Sequence, residues 1–201
     1  LMSGRTPVTE RNRFGARTVP IGWGQEMRDQ AAMVRESCKW DYELRFPEQV
    51  PELLDRAHGI ANSTAKGPVY LSLPREVLCE LCPEEGVDAP ASMRPARSGV
   101  RPEELTALAD AIAGARNPVI FVQRGAGSAA GFDALSKLAE DWAIPVCPYW
   151  ATALPVPSDH PMNIGPNPMP WLAEADVVLV LDSLAPWEPD SHNPASSATV
   201  I

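Results

Sequence analysis

Residues 176–181 read Asp-Val-Val-Leu-Val-Leu, apolar throughout after the first position, as a strand covered on both faces should be. Residues 119–122 (Val119, Ile120, Phe121, Val122) have the same character, and residues 144–147 and 199–201 predict two more short strands. Between these runs the apolar period changes to three or four. Leu105, Leu108, Ala109 and Ile112 mark the buried face of a predicted helix that Pro102 starts in its first turn. Glu103 and Glu104 suit the positive end of its dipole, and Asn117-Pro118 breaks it. A tight turn, Gly125-Ala126-Gly127, leads into a second helix over 128–142, with Phe132, Leu135, Leu138 and Ala139 facing inward. A proline-rich loop over 151–170 precedes a helical turn at 171–174.

In the first half, Val50, Leu53, Leu54, Ala57, Ile60 and Ala61 form one apolar helical face. Pro51 sits in the first turn, where its missing N–H costs nothing, and Lys66-Gly67-Pro68 stops the helix near Ser63 or Thr64. Residues 69–73 then predict a short strand ended by Pro74. Residues 38–44 alternate as a short strand or extended segment. Residues 25–36 predict a helix through Met27, Ala31 and Val34, and residues 1–24 read mostly as loop. Residues 83–101 hold three prolines and no periodic apolar positions, which predicts a linker between a unit over 1–82 and another over 102–201. Strands alternating with helices imply an α/β fold with a parallel, doubly wound (Rossmann-like) sheet.

Composition narrows the partners. The net charge is -9 and the pI near 4.8, so no basic stripe exists to release counterions from a nucleic acid. No apolar run approaches membrane-spanning length, which argues against a membrane partner. No charged segment leads into an apolar leader core, so Cys38, Cys79, Cys82 and Cys147 are expected to be reduced thiols in a cytoplasmic protein. Leu1-Met2-Ser3-Gly4-Arg5 does not read as a natural start, and Ala198-Thr199-Val200-Ile201 is β-prone and stops with no turn, cap or polar tail, so the chain is expected to be a piece of a longer one.

Candidate chemistry is sparse. In a doubly wound sheet, ligands sit beyond the carboxyl ends of strands, which puts Gly125, Gly127 and Asp182 in a candidate cofactor site. Gly125-Ala126-Gly127-Ser128 could cradle a phosphate at a helix N-terminus, or be a strand-to-helix turn that needs small residues. Gly131 falls off the GxGxxG spacing, so the dinucleotide fingerprint fails. Cys79-x-x-Cys82 lacks the second ligand pair a zinc site needs and reads as two small side chains at a domain end. His58 lies on the polar side of its helix, and His160 and His192 sit in loops. No catalytic residue and no metal ligand is assigned.

Several motifs together carry a family resemblance. Lys66-Gly67-Pro68-Val69-Tyr70-Leu71-Ser72-Leu73-Pro74-Arg75-Glu76-Val77 resembles the close of the pyrimidine-binding domain in thiamine-diphosphate-dependent enzymes of the acetolactate synthase-like branch. Gln25-Glu26 and Lys39 resemble that branch's "QE" and following "K", residues that could reach a substrate pocket or simply be solvated side chains around a helix. Asn117-Pro118-Val119-Ile120 into Gly125-Ala126-Gly127, the Leu138-Ala139-Glu140 to Ile144-Pro145-Val146 step, and Ala175 through Asp182 resemble the central domain in the family's order.

The resemblance implies a thiamine-diphosphate- and Mg-dependent lyase or carboligase acting on a 2-oxo acid or related small molecule. It implies a homo-oligomer, dimer or tetramer, in which this region is scaffold. The family's cofactor-activating glutamate lies earlier, and its Gly-Asp-Gly metal motif later. No Gly-Asp-Gly occurs here, so both halves of the cofactor site are expected outside this chain. Flavin-binding members carry "GMHG"- and "RFDDR"-type segments where this chain has Asn163 to Pro168 and Asp182 to Trp187. FAD is therefore not expected, whereas ADP or CoA remains possible.

Overall fold

A computed structural model describes residues 1–17, 22–82 and 93–201. The chain divides into two compact units, Leu1–Gly99 and Val100–Ile201. The expected linker lies partly outside the described residues, at 83–92. Its last part runs along the first unit, where Met93 N donates to Asp55 Oδ2 (2.6 Å) and Ala96 N to Ser63 Oγ (2.9 Å).

The first unit is a three-stranded parallel sheet in the order β1 (Met2–Arg5), β3 (Val69–Pro74), β2 (Trp40–Glu43). A single turn, α1 (Gly22–Gln25), precedes β2. Helix α2 (Val50–Asn62) packs Leu53 and Ala57 against Leu44, Val69 and Leu71, and α3 (Arg75–Leu78) follows β3 directly. Lys39 closes α2: its Nζ donates to the carbonyls of Ile60 (2.7 Å) and Ser63 (2.9 Å), satisfying oxygens that a helix end leaves without partners.

Two expectations for this unit are corrected. Residues 2–5, read as loop, form strand β1, because the ladder to β3 needs only backbone groups and Met2–Arg5 brings no apolar alternation. Residues 25–36, read as one helix, give only two 3-10 turns, Ala31–Met33 and Arg35–Ser37. Met27 is exposed and Ala31 and Val34 are only half-buried, so the apolar spacing meets no core. Arg35 also bonds both Asp29 and Asp41, holding the segment as a loop.

The second unit is a four-stranded parallel sheet in the order β5 (Val146–Cys147), β4 (Pro118–Val122), β6 (Val177–Leu181), β7 (Thr199–Val200). Successive β4 side chains enter opposite cores, as the two-residue strand period requires. Ile120 and Val122 meet Leu135 and Ala139 of α5 (Ala129–Asp141), while Val119 and Phe121 meet Leu172 of α6 (Trp171–Glu174). Both faces are thus covered, the arrangement that favours unbroken apolar strands. The expected buried face of α4 (Pro102–Gly114) is corrected as well: Leu108 and Ile112 are only partly buried and Leu105 is exposed.

Candidate functional site

Counted in chain order, the second unit's strands run second, first, third, fourth across the sheet, and the order reverses between β4 and β6. Connections leave on opposite faces there, and in doubly wound sheets the ligand crevice lies beyond the carboxyl ends of the two strands at such a reversal. Gly125 and Gly127 follow β4, Asp182 follows β6, and Arg124 links the two loops. Its backbone N donates to Asp182 O (3.2 Å), and its guanidinium lies 3.7 Å from the Asp182 carboxylate. The three expected site residues therefore lie on two adjoining loops at one sheet edge.

Backbone conformation explains the residue types. Gly125 has φ +76°, is buried, and would carry a Cβ 3.1 Å from Ala153 Cβ, so only glycine fits. Gly127 has φ +77°, but a Cβ there would face open space. Asp182 itself has φ 41°, a region that Asp tolerates better than most residues. At the N-terminus of α5, Ser128 Oγ accepts from Gly131 N (3.1 Å). A side chain at Gly131 would overlap the Ala126 carbonyl, so this glycine serves close packing of helix on turn.

Two further residues of this edge escaped the sequence reading. Gln123, at the end of β4, bonds both neighbouring loops: its main-chain O accepts from Thr152 N (2.7 Å) and its Oε1 from Leu184 N (2.9 Å). Ser183 Oγ is buried without a hydrogen-bond partner. Their place directly after an apolar strand was the available signal.

The histidines and cysteines have structural surroundings. His160 Nδ1 accepts from Met162 N (3.1 Å), which leaves Nε2–H to donate to Ser136 O (3.1 Å) and pins the proline-rich loop to α5. His192 stacks edge-on to Tyr149, and His58 is exposed. Cys147 is buried, and that desolvation pushes its thiol up to about 12, away from nucleophilic use. Among the described residues no group of three or more His, Cys, Asp or Glu could hold a metal, Cys79 and Cys82 included.

The first unit concentrates charge at the carboxyl ends of its strands. Arg5 pairs with Glu43 and, at 3.5 Å, with Glu26; Arg17 pairs with Glu26 and donates from Nε to Pro7 O (2.6 Å). Glu43 also accepts from Ser72 Oγ (3.3 Å), and its hydrogen bond holds the Arg5 pKa above the ordinary arginine value. Glu76 is buried. Burial alone would raise its pKa, but bonds from Thr9 Oγ1, Val8 N and Thr9 N hold it below the usual glutamate range. A cleft of about 290 Å³ opens beside this edge, lined by Asp41, Glu43, Arg45 and Ser72 among others. Glu26 is spent on two arginines and Lys39 on a helix end, while Gln25 is exposed.

The second unit is thus a doubly wound α/β domain with two loops joined at its switch point, a class that binds many ligands and fixes no single chemistry. Comparison with known proteins narrows the class. Residues 105–194 match the family described as thiamine pyrophosphate enzyme, central domain. The chain belongs to the thiamine pyrophosphate enzyme family. It is 34% identical over 167 residues to a probable 2-ketoarginine decarboxylase of Pseudomonas aeruginosa, covering 80% of this chain and 29% of that protein. It is 33% identical over 175 residues to a sulfoacetaldehyde acetyltransferase of Rhodobacter capsulatus, covering 82% and 28%. Acetolactate synthases match as well. In fold it resembles a thiamine diphosphate-dependent 4-hydroxybenzoylformate decarboxylase of Rhodococcus jostii, with a TM-score of 0.62 at 23% identity over 92% of this chain and 38% of that one. The chain spans less than a third of the length of these two curated relatives.

Proposed function

We propose that the whole protein is a thiamine-diphosphate- and Mg-dependent enzyme, an acetolactate synthase-like lyase or carboligase acting on a 2-oxo acid or related substrate. The carrying observation is the order of parts: an αβ unit closing on Gly67-Pro68 and Pro74-Arg75-Glu76-Val77, then a parallel sheet whose residues match the family's central domain. Thiamine diphosphate, when bound, supplies a carbanion nucleophile. The described residues do not fit it: they offer no metal cluster, and the acidic side chains at the first unit's strand ends are engaged by arginines or backbone. No chemical step is therefore assigned to this chain. Its residues hold scaffold, and in our reading a surface for a cytoplasmic homodimer or homotetramer.

Assay of the protein encoded by the whole reading frame tests this. With thiamine diphosphate and Mg²⁺ it should release CO₂ from, or join, 2-oxo acids. Failure to turn over any 2-oxo acid would contradict the reading.

A second reading rests on the positive φ of Gly125 and Gly127 and on Asp182 beside them. In it, the second unit is a nucleotide- or CoA-binding Rossmann-like module, taking ADP or CoA at its switch point, without thiamine chemistry. A thermal-shift screen of the chain with ADP, CoA, FAD and NAD separates the two. A shift with ADP or CoA supports it, and no shift with any of them leaves the scaffold reading alone.

A further inference from the structure

We infer that Gln123 is a positioning residue that presets the crevice at the β4–β6 switch point. The inference deepens the reading of that crevice as a ligand site and rests on it only for the ligand arm of the test below.

A residue at the end of β4 would ordinarily contribute only its main chain to the sheet. Gln123 uses two carbonyls for two different loops. The main-chain O takes Thr152 N at 2.7 Å and Thr152 Oγ1 at 3.4 Å, which fixes the loop after β5. The side-chain Oε1 takes Leu184 N at 2.9 Å, which fixes the loop after β6. A backbone N–H can only donate, so it must face the amide oxygen, and the Gln123 NH₂ is turned away from Leu184. The same loop carries Asp182, at the rim of the crevice, and Ser183, whose buried hydroxyl has no partner. Leu184 is 77% exposed, so burial of its own side chain does not hold the loop. Among the described residues, the side-chain tie to the 182–184 loop is the Gln123 amide, with Arg124 joined to Asp182 more loosely at 3.7 Å.

Gln123 therefore sets the spacing between the glycine turn after β4 and the Asp182–Leu184 loop, and with it the shape of ligand the crevice admits. A rigidly held loop spares a ligand the cost of ordering it, so the effect should appear in affinity.

The test uses the 201-residue chain with Gln123→Ala and Gln123→Glu. In the alanine variant the Leu184 amide should exchange roughly three- to tenfold faster, the span expected for loss of one such hydrogen bond. Thr152 should be unchanged, because its acceptor is main chain. The glutamate variant keeps a carboxylate oxygen for Leu184 N and should restore protection at neutral pH. Titration with ADP and with CoA is the second arm: whichever binds the wild type should bind the alanine variant several-fold more weakly and the glutamate variant close to normally. Unchanged Leu184 exchange in the alanine variant would overturn the inference, as would equal affinity in the two proteins. If neither nucleotide binds the wild type, the crevice reading fails, while the exchange arm still decides the role of Gln123.

Discussion

The two units reach a parallel sheet by different means. In the second, Val119, Ile120, Phe121 and Val122 are at most 2% exposed, and the sheet is held by apolar side chains on both faces. In the first, strand β1 carries no buried residue, and the strand ends are tied by Arg5, Arg17, Glu26, Glu43 and Glu76. One sheet is organised by burial, the other in good part by directional polar bonds. Burial is non-directional and tolerates similar apolar residues, whereas a polar network depends on each member. Mutations should therefore act through different mechanisms in the two units.

The largest effect is expected from Phe121→Ala. The ring is fully buried, with an edge-on contact to Trp187 at 5.7 Å. Removing it should cost about 4 kcal/mol, a large fraction of the stability of a unit this size. Urea unfolding followed by hydrogen exchange should show the second unit melting early while Val69 and Leu71 stay protected. A concerted loss of both units would contradict independent stabilisation of the two sheets.

Glu76→Ala comes next. It strips the acceptor from Val8 N, Thr9 N and Thr9 Oγ1, and should cost roughly 2–3 kcal/mol in the first unit alone. The same carboxylate predicts a pH response. Its folded-state pKa is lowered, so its contribution is complete above the ordinary glutamate pKa and is lost as pH falls through the folded value. Protection of the Val8 and Thr9 amides should drop below roughly pH 4, and Glu76→Gln should abolish that step. A smaller change is expected from Lys39→Met, which keeps the stem but removes the cap on α2. A loss of about 0.5–1 kcal/mol, read from the denaturation midpoint, would sharpen the assignment of Lys39 to the helix end.

This contrast also explains what the sequence could disclose. Strands β4 and β6 are legible because a doubly covered strand is apolar at every position, and α2 and α5 because their buried faces keep a helical period. β1 is invisible to that reading, since Met2–Arg5 enters the sheet through backbone pairing at an edge. The segment 25–36 misleads because its methionines point to solvent and its shape is set by Arg35 reaching two aspartates. The glycines after β4 and Asp182 after β6 are legible as strand-end residues. Gln123 holds an equally legible strand-end position, but the bond of its side chain to a loop 61 positions away leaves no local pattern.

In the function proposed above, this chain is family scaffold without a complete thiamine diphosphate site. Calorimetric titration of the isolated 201-residue chain with thiamine diphosphate in the presence of Mg²⁺ tests it most directly. No saturable binding is expected. Saturable binding in the micromolar range would contradict it.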